Sequence, residues 1–211
     1  CSKIGREIYT LMKQEFGELE EPVPPGTVGS STMPQKRNPK LSQDIIAAAA
    51  QIRALVPLAL EAMQTEHEAD RTTSIMMSRA IVQACELTGD VLQRMMVLLD
   101  GLQVFPDRMR ENLDLSGGLI MAEALMLELG RQIGRQRAHD AVYEAAQASV
   151  TQARPFREML ALDPQVSAGL TPSQMETLLD PARYTGLCRE LAERGAAQAR
   201  AIASAVALRL A

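Results

Sequence analysis

The sequence predicts an all-α fold, and three observations carry that expectation. Apolar residues make up 46% of the 211 positions, aromatics only 3%, and tryptophan is absent, so Ala, Leu, Ile, Val and twelve Met must fill the core. Such side chains suit packed helices better than pleated sheets. Apolar positions recur at three- and four-residue spacing along most of the chain, with no convincing run of period two. Proline and glycine gather mainly between these runs, where they act as punctuation.

Taken in order, Ile4, Ile8, Leu11 and Met12, followed by Phe16, predict a first helix that stops at Gly17. A helix already under way at Cys1 is expected to begin inside a longer protein. The stretch GELEEPVPPGTVGSST, from Gly17 to Thr32, holds three Pro and three Gly and cannot continue a helix. Helical spacing resumes at Asn38, expected to cap the helix, with Pro39 at the first helical position, where its missing N–H costs nothing. Pro57 is expected to kink this helix, which runs to about Gln64. A long helix then covers roughly Arg71 to Leu102. Its apolar positions, Ile75, Ile81, Cys85, Leu92 and Met95 among them, ring more than one face, as in the interior of a bundle.

Beyond QVFPDR the elements shorten. Helices are expected in PDRMRENLD, from about Leu119 to Leu129, and from about Arg135 to Gln152. Several short turns follow, and a last helix runs from Thr185 or Gly186 to Leu208. The expected domains are 1–104, a long-helix bundle, and 105–211, a small C-terminal helical unit.

Composition also excludes classes of partner. Net charge is −4, from 22 basic and 26 acidic side chains with dispersed arginines, which speaks against nucleic acid. No apolar run is expected to reach the roughly 20 residues that cross a bilayer, and CSKIGREIYTLMKQEF lacks the apolar centre of a signal peptide. The expectation is a cytoplasmic protein with no membrane partner. Cys1, Cys85 and Cys188 are odd in number and far apart, so buried free thiols are expected. His67 and His139 lack ligand-spaced partners, and no metal site is expected.

The chemistry concentrates in VGSSTMPQKRNPKLSQD, Val28 to Asp44. Two hydroxyls follow a glycine, and an ammonium, a guanidinium and an amide (Lys36, Arg37, Asn38) follow at the start of a helix. A helix N-terminus adds favourable potential for an anion, so the sum is a site for a carboxylate or phosphate. A serine hydroxyl handles protons only where donors stabilise its oxyanion, a task for nearby N–H groups and Lys36. By pattern alone, the same stretch reads equally well as a solvated connector.

GSSTMPQKRNP resembles the signature loop of the fumarase/aspartase superfamily, written GSSxMPxKxNP. Gly29, Ser30, Ser31, Met33, Pro34, Lys36, Asn38 and Pro39 meet all eight fixed positions. GELEEPVPPGTVGSS is similar to the lead-in of adenylosuccinate lyases, while NLDLSGGLIMAEAL and LLDPARYTG resemble 3-carboxy-cis,cis-muconate cycloisomerases. The resemblance covers essentially the whole chain. It implies the later part of a central helical bundle with its signature loop at 28–39, then a C-terminal helical domain. It also implies homotetramers with each active site built from three subunits, histidine motifs upstream of Cys1, a small di- or tricarboxylate substrate, and no cofactor. Ser30 then matches the residue that takes a proton from carbon beside a carboxylate. Ser31, Thr32, Met33, Lys36 and Asn38 match substrate-binding positions, and His67 and Arg71 are possible pocket residues.

Two departures from the family pattern discriminate. Fumarases, argininosuccinate lyases and adenylosuccinate lyases carry a Glu five residues after the signature Asn, where this chain has Gln43 beside Asp44. Cycloisomerases of the bacterial type also lack that Glu. Ala69 and Ser78 stand where adenylosuccinate lyases place phosphate-binding arginines, a loss of bidentate donors that argues against a nucleotide. The Trp-containing stretch of the cycloisomerases is missing too. The expected function is cycloisomerase-like lactone chemistry. The alternatives are a C–N lyase releasing fumarate, and a non-catalytic structural fragment or paralogue.

Overall fold

The computed structural model of the chain describes residues 1–23, 33 and 36–210. The chain divides into two compact units, Cys1–Asn112 and Leu113–Ala211, each of them helical. In the first, α1 (Ser2–Leu11) leads through a turn to β1 (Leu19–Glu20). Two long helices follow, α2 (Lys40–Glu61) and α3 (Arg71–Asp100), and then β2 (Gln103–Val104) and α4 (Pro106–Asp114), which crosses the division.

Both α1 and α3 pack against α2. Ile8, Ile45, Ala48, Val91, Met95 and Leu98 form the shared core. Gly5 faces α2, where a Cβ would lie 3.4 Å from the Ser42 carbonyl oxygen. Asp70 caps α3, its carboxylate accepting the Thr72 amide at 2.8 Å.

Several expectations change on contact with the structure. The first helix ends at Leu11 rather than near Phe16, because the Gly17 amide donates to the Lys13 carbonyl at 2.7 Å and the Glu18 amide to Leu11 at 3.0 Å. That turn needs Gly17 at φ +63°, and it sends the chain into β1. β1 and β2 pair antiparallel, Leu19 opposite Val104 and Glu20 opposite Gln103. Two residues per strand are too few for an alternating pattern to register. Helix α2 begins at Lys40, one residue later than expected, with Pro39 as a cap residue that offers no side-chain acceptor. It contains Pro57 and ends at Glu61, short of the expected Gln64.

Exposure brings two further corrections. Cys1, Cys85 and Cys188 are all exposed within this chain, not buried. The expected apolar ring of α3 is covered on one side only: Thr73, Ala80, Val91, Met95 and Leu98 are buried, whereas Ile75, Ile81, Leu92 and Met96 are more than half exposed. Helix α2 is also long and apolar enough, by length and composition, to cross a membrane, with a mean hydropathy of 1.3 over its apolar window, where no such run was expected. Only 11% of that window is buried in this chain. The same composition serves a helix surrounded by other helices.

The second unit contains a 3₁₀ turn (Leu119–Met121) running into α5 (Ala122–Ile133), then α6 (Arg135–Gln152), α7 (Phe156–Leu162), α8 (Pro164–Gly169), α9 (Pro172–Leu178), a second 3₁₀ turn (Pro181–Arg183) and α10 (Cys188–Leu210). Its core gathers Leu125, Leu129, Val142, Phe156, Leu160 and Val166. The Asp-Pro and Thr-Pro pairs behave as start signals. Asp163 accepts the Gln165 and Val166 amides at 2.8 and 3.0 Å, and Thr171 with Gln174 forms a reciprocal capping box.

Candidate active site

The described part of the signature segment lies against α1, β1 and the start of α2, all in the first unit. Lys36 is exposed, its amide donating to the Met33 carbonyl at 3.0 Å, and Asn38 is half-buried. Lys36 borders two recesses. An open cleft of about 530 Å³ is lined by Met33, Lys36 and Arg37 together with Tyr9 and Lys13 of α1 and Glu20 of β1. A smaller recess of about 190 Å³ brings Lys36 and Asn38 beside Glu21, Val23, Asp44 and Arg94.

The charges around these recesses are unequally engaged. Arg37 pairs with Glu20 at 3.3 Å, both side chains partly exposed, so the pair contributes at most about 1 kcal/mol. No carboxylate among the described residues is paired with Lys13 or Lys36. Lys13 instead lies over the Tyr9 ring, 5.9 Å from its centroid. Arg94 of α3 binds Asp44 of α2 at 2.7 Å and Asp90 of its own helix at 2.8 Å. Its guanidinium is held above the ordinary range, first by the hydrogen bond to Asp90, with burial opposing and the Asp44 charge assisting.

The Arg94 pair bears on the residue that departs from the lyase pattern. Asp44 faces α3 and is held there, whereas Gln43 lines a separate recess with Arg6, Tyr9 and Thr10 of α1. Successive helical residues point about 100° apart. Asp44 therefore points away from the recess that Gln43 lines.

The α2 terminus also differs from its expected role. At the helix start expected to add potential for an anion, the first-turn amides of Leu41 and Ser42 are both taken by the Glu21 carboxylate at 2.8 and 3.1 Å. An anion already occupies that terminus, and it belongs to the protein.

Of the residues singled out from sequence, Ser30, Ser31 and Thr32 lie outside the described residues. Met33, Lys36 and Asn38 come together at the two recesses. His67 and Arg71 do not join them. His67 sits in the link after α2, Arg71 opens α3, both are exposed, and neither lines either recess. They lie beyond the far end of α2, whose 22 residues span about 33 Å at 1.5 Å per residue. Sequence reasoning missed Lys13, Tyr9 and Glu21. A lone Lys after an amphipathic helix and a Glu in a run with Glu18 and Glu20 carry no local signal of their partners.

Comparison with known proteins adds a consistent set of likenesses. Residues 1–54 match the family described as Lyase, and residues 118–195 match the one described as Adenylosuccinate lyase C-terminus. A 3-carboxy-cis,cis-muconate cycloisomerase from Pseudomonas aeruginosa is 41% identical over 200 residues, 95% of this chain and 44% of that protein. An N-acetyl-S-(2-succino)cysteine lyase from Dickeya dadantii is 39% identical over 87% of this chain and 40% of its own length. Among solved structures, the 3-carboxy-cis,cis-muconate lactonizing enzyme of Pseudomonas putida superposes with a TM-score of 0.81 at 39% identity, covering 92% of this chain and 43% of that one. The chain thus spans less than half the length of each of these relatives.

Proposed function

We propose, for a chain that belongs to the fumarase/aspartase superfamily, that it contributes the signature segment and C-terminal unit of an enzyme forming or opening a lactone beside a carboxylate, as in 3-carboxy-cis,cis-muconate cycloisomerase. The observation that carries this reading is the 41% identity to such an enzyme over 95% of the chain. Gln43 agrees with it, and so does the engagement of Asp44 by Arg94, because together they leave the lyase carboxylate without a substitute.

In the lactone-forming direction a carboxylate oxygen of the substrate bonds to a diene carbon, and the neighbouring carbon receives a proton. The product is an isomer, and no electrons are exchanged with another reagent. The reaction needs a group that carries the proton and fixed cations that hold the remaining carboxylates. Ser30 is the proposed proton-handling group. Ser31, Thr32, Met33, Lys36 and Asn38 are the proposed substrate contacts, with Lys36 supplying charge at both recesses.

The assay is direct. The complete polypeptide given 3-carboxy-cis,cis-muconate should consume the diene chromophore and yield a lactone visible by NMR. Fumarate from adenylosuccinate, with no lactone from the muconate, would reverse the ordering. Elimination from a succinyl group is the second reading, favoured by the likeness to a succinocysteine lyase.

The proposed assembly is a homotetramer whose active sites draw on several subunits, with His67 and Arg71 entering a site other than the one their own Lys36 serves. Its support is the uncovered apolar surface of the long helices, including Val56 and Leu60 on α2 after α1 has packed, and Ile75, Ile81 and Met96 on α3. Light scattering on the complete polypeptide should give the mass of four chains. A monomer at micromolar concentration would remove the composite-site reading.

A further inference from the structure

Glu21 is the only charged side chain that is buried among the described residues, at 4% exposure. Its carboxylate leaves the end of β1 and crosses to the first turn of α2. Oε1 accepts the Leu41 amide at 2.8 Å, while Oε2 accepts both the Ser42 amide at 3.1 Å and the Ser42 hydroxyl at 3.0 Å. Ser42 itself is fully buried.

A helix start leaves its first amides without backbone partners, and a nearby side chain usually accepts them. Here the cap residue is Pro39, which has no acceptor, so the acceptor comes from twenty residues upstream. The location of the first turn of α2 is therefore set against β1 rather than by its own sequence. β1 is held in turn by β2, and Pro22 packs so closely on Gly101 that a Cβ there would lie 2.6 Å from the proline ring. Glu20, next to Glu21, pairs with Arg37 on the other side of Asn38. Residues 20 and 21 thus grip the chain on both sides of Asn38 and just beyond Lys36.

We propose that Glu21 is a positioning residue for the signature segment: by holding the Leu41–Ser42 turn against β1 it sets where Lys36 and Asn38 stand at the recess. Its consequence for catalysis rests on the function proposed above, whereas its consequence for position does not.

The test uses Glu21→Gln in the complete polypeptide. The change is nearly isosteric but turns an N–H donor toward the amide and hydroxyl donors of α2, so at least one bond is lost. Amide hydrogen exchange at Lys36, Lys40, Leu41 and Ser42 should accelerate at least about tenfold, with the α2 interior around Ala48 to Ile52 unchanged. For the muconate substrate, KM should rise at least about tenfold, more than kcat falls, because the displaced groups are the proposed carboxylate contacts.

Ile45→Ala, in the same helix and fully buried, serves as the control for lost stability. It should lower the melting midpoint while leaving exchange at Lys36 and Lys40, and KM, as in the parent. Unchanged exchange in Glu21→Gln, or a rise confined to the α2 interior that spares Lys36 and Lys40 as in the control, overturns the proposal. Local acceleration with unaltered KM and kcat overturns it as well, leaving a cap without a positioning role. If the parent protein makes no lactone, the functional reading has failed, and exchange at Lys36 against the control still decides the positional claim.

Discussion

Ser30→Ala in the complete polypeptide is expected to lower kcat for lactone formation by about 10²–10⁴-fold while leaving KM little changed. Two separate jobs are proposed for one short segment. A hydroxyl that carries a proton acts only as the carbon–hydrogen bond forms or breaks, so its removal affects the transition state and not the bound substrate. Lys36 and Asn38, the proposed carboxylate contacts, line the recesses with Met33 nearby and are untouched by this change. Lys36→Met should show the opposite split, with KM raised most. Steady-state kinetics on both variants checks this division. If Ser30→Ala keeps more than about one-tenth of the parent kcat, the proton is carried elsewhere, since general acid–base groups contribute about a hundredfold or more.

The helices were legible in the sequence because their causes are local. Asp70, Asp163 and Thr171 each bind amides two or three residues ahead, which a reading of neighbouring letters can anticipate. The start of α2 was misread for the complementary reason. Asn38-Pro39 has the letters of a cap, but the acceptor that satisfies the turn is Glu21, and no local pattern reports a partner twenty positions away. Periodicity marks apolar positions on more than one face of α3, yet it does not say which of those faces this chain covers. Cys85 and Ile75 therefore read as buried and stand exposed in this chain. His67 and Arg71 illustrate the same limit at the site. Their resemblance to pocket residues carries no information about distance, and α2 holds them away from Lys36 within one chain.

Phe156→Ala should destabilise the protein by about 3–5 kcal/mol, the largest stability loss expected from any single truncation in the second unit. Phe156 is the largest side chain with no exposed surface, and it opens α7 directly after Pro155. Its neighbours in the core, Leu125, Leu129, Leu160 and Val166, are themselves fully buried and come from α5, α7 and α8. Walls drawn from three helices cannot collapse into the vacated space without moving backbone, so the cost includes a cavity as well as the lost transfer of apolar surface. Gly118 borders the same space, where a Cβ would stand 4.0 Å from the Phe156 ring and 3.7 Å from Leu179, and its φ of +93° keeps the turn in place. Phe156→Leu retains most of the apolar volume and should lose much less. Urea denaturation followed by far-UV circular dichroism compares the two, and a loss below about 1 kcal/mol for the Ala variant would mean that the surrounding helices repack freely. Against a typical total of about 5–15 kcal/mol, the expected loss is large enough that this variant should also show lower soluble yield at 37 °C, where Phe156→Leu should not.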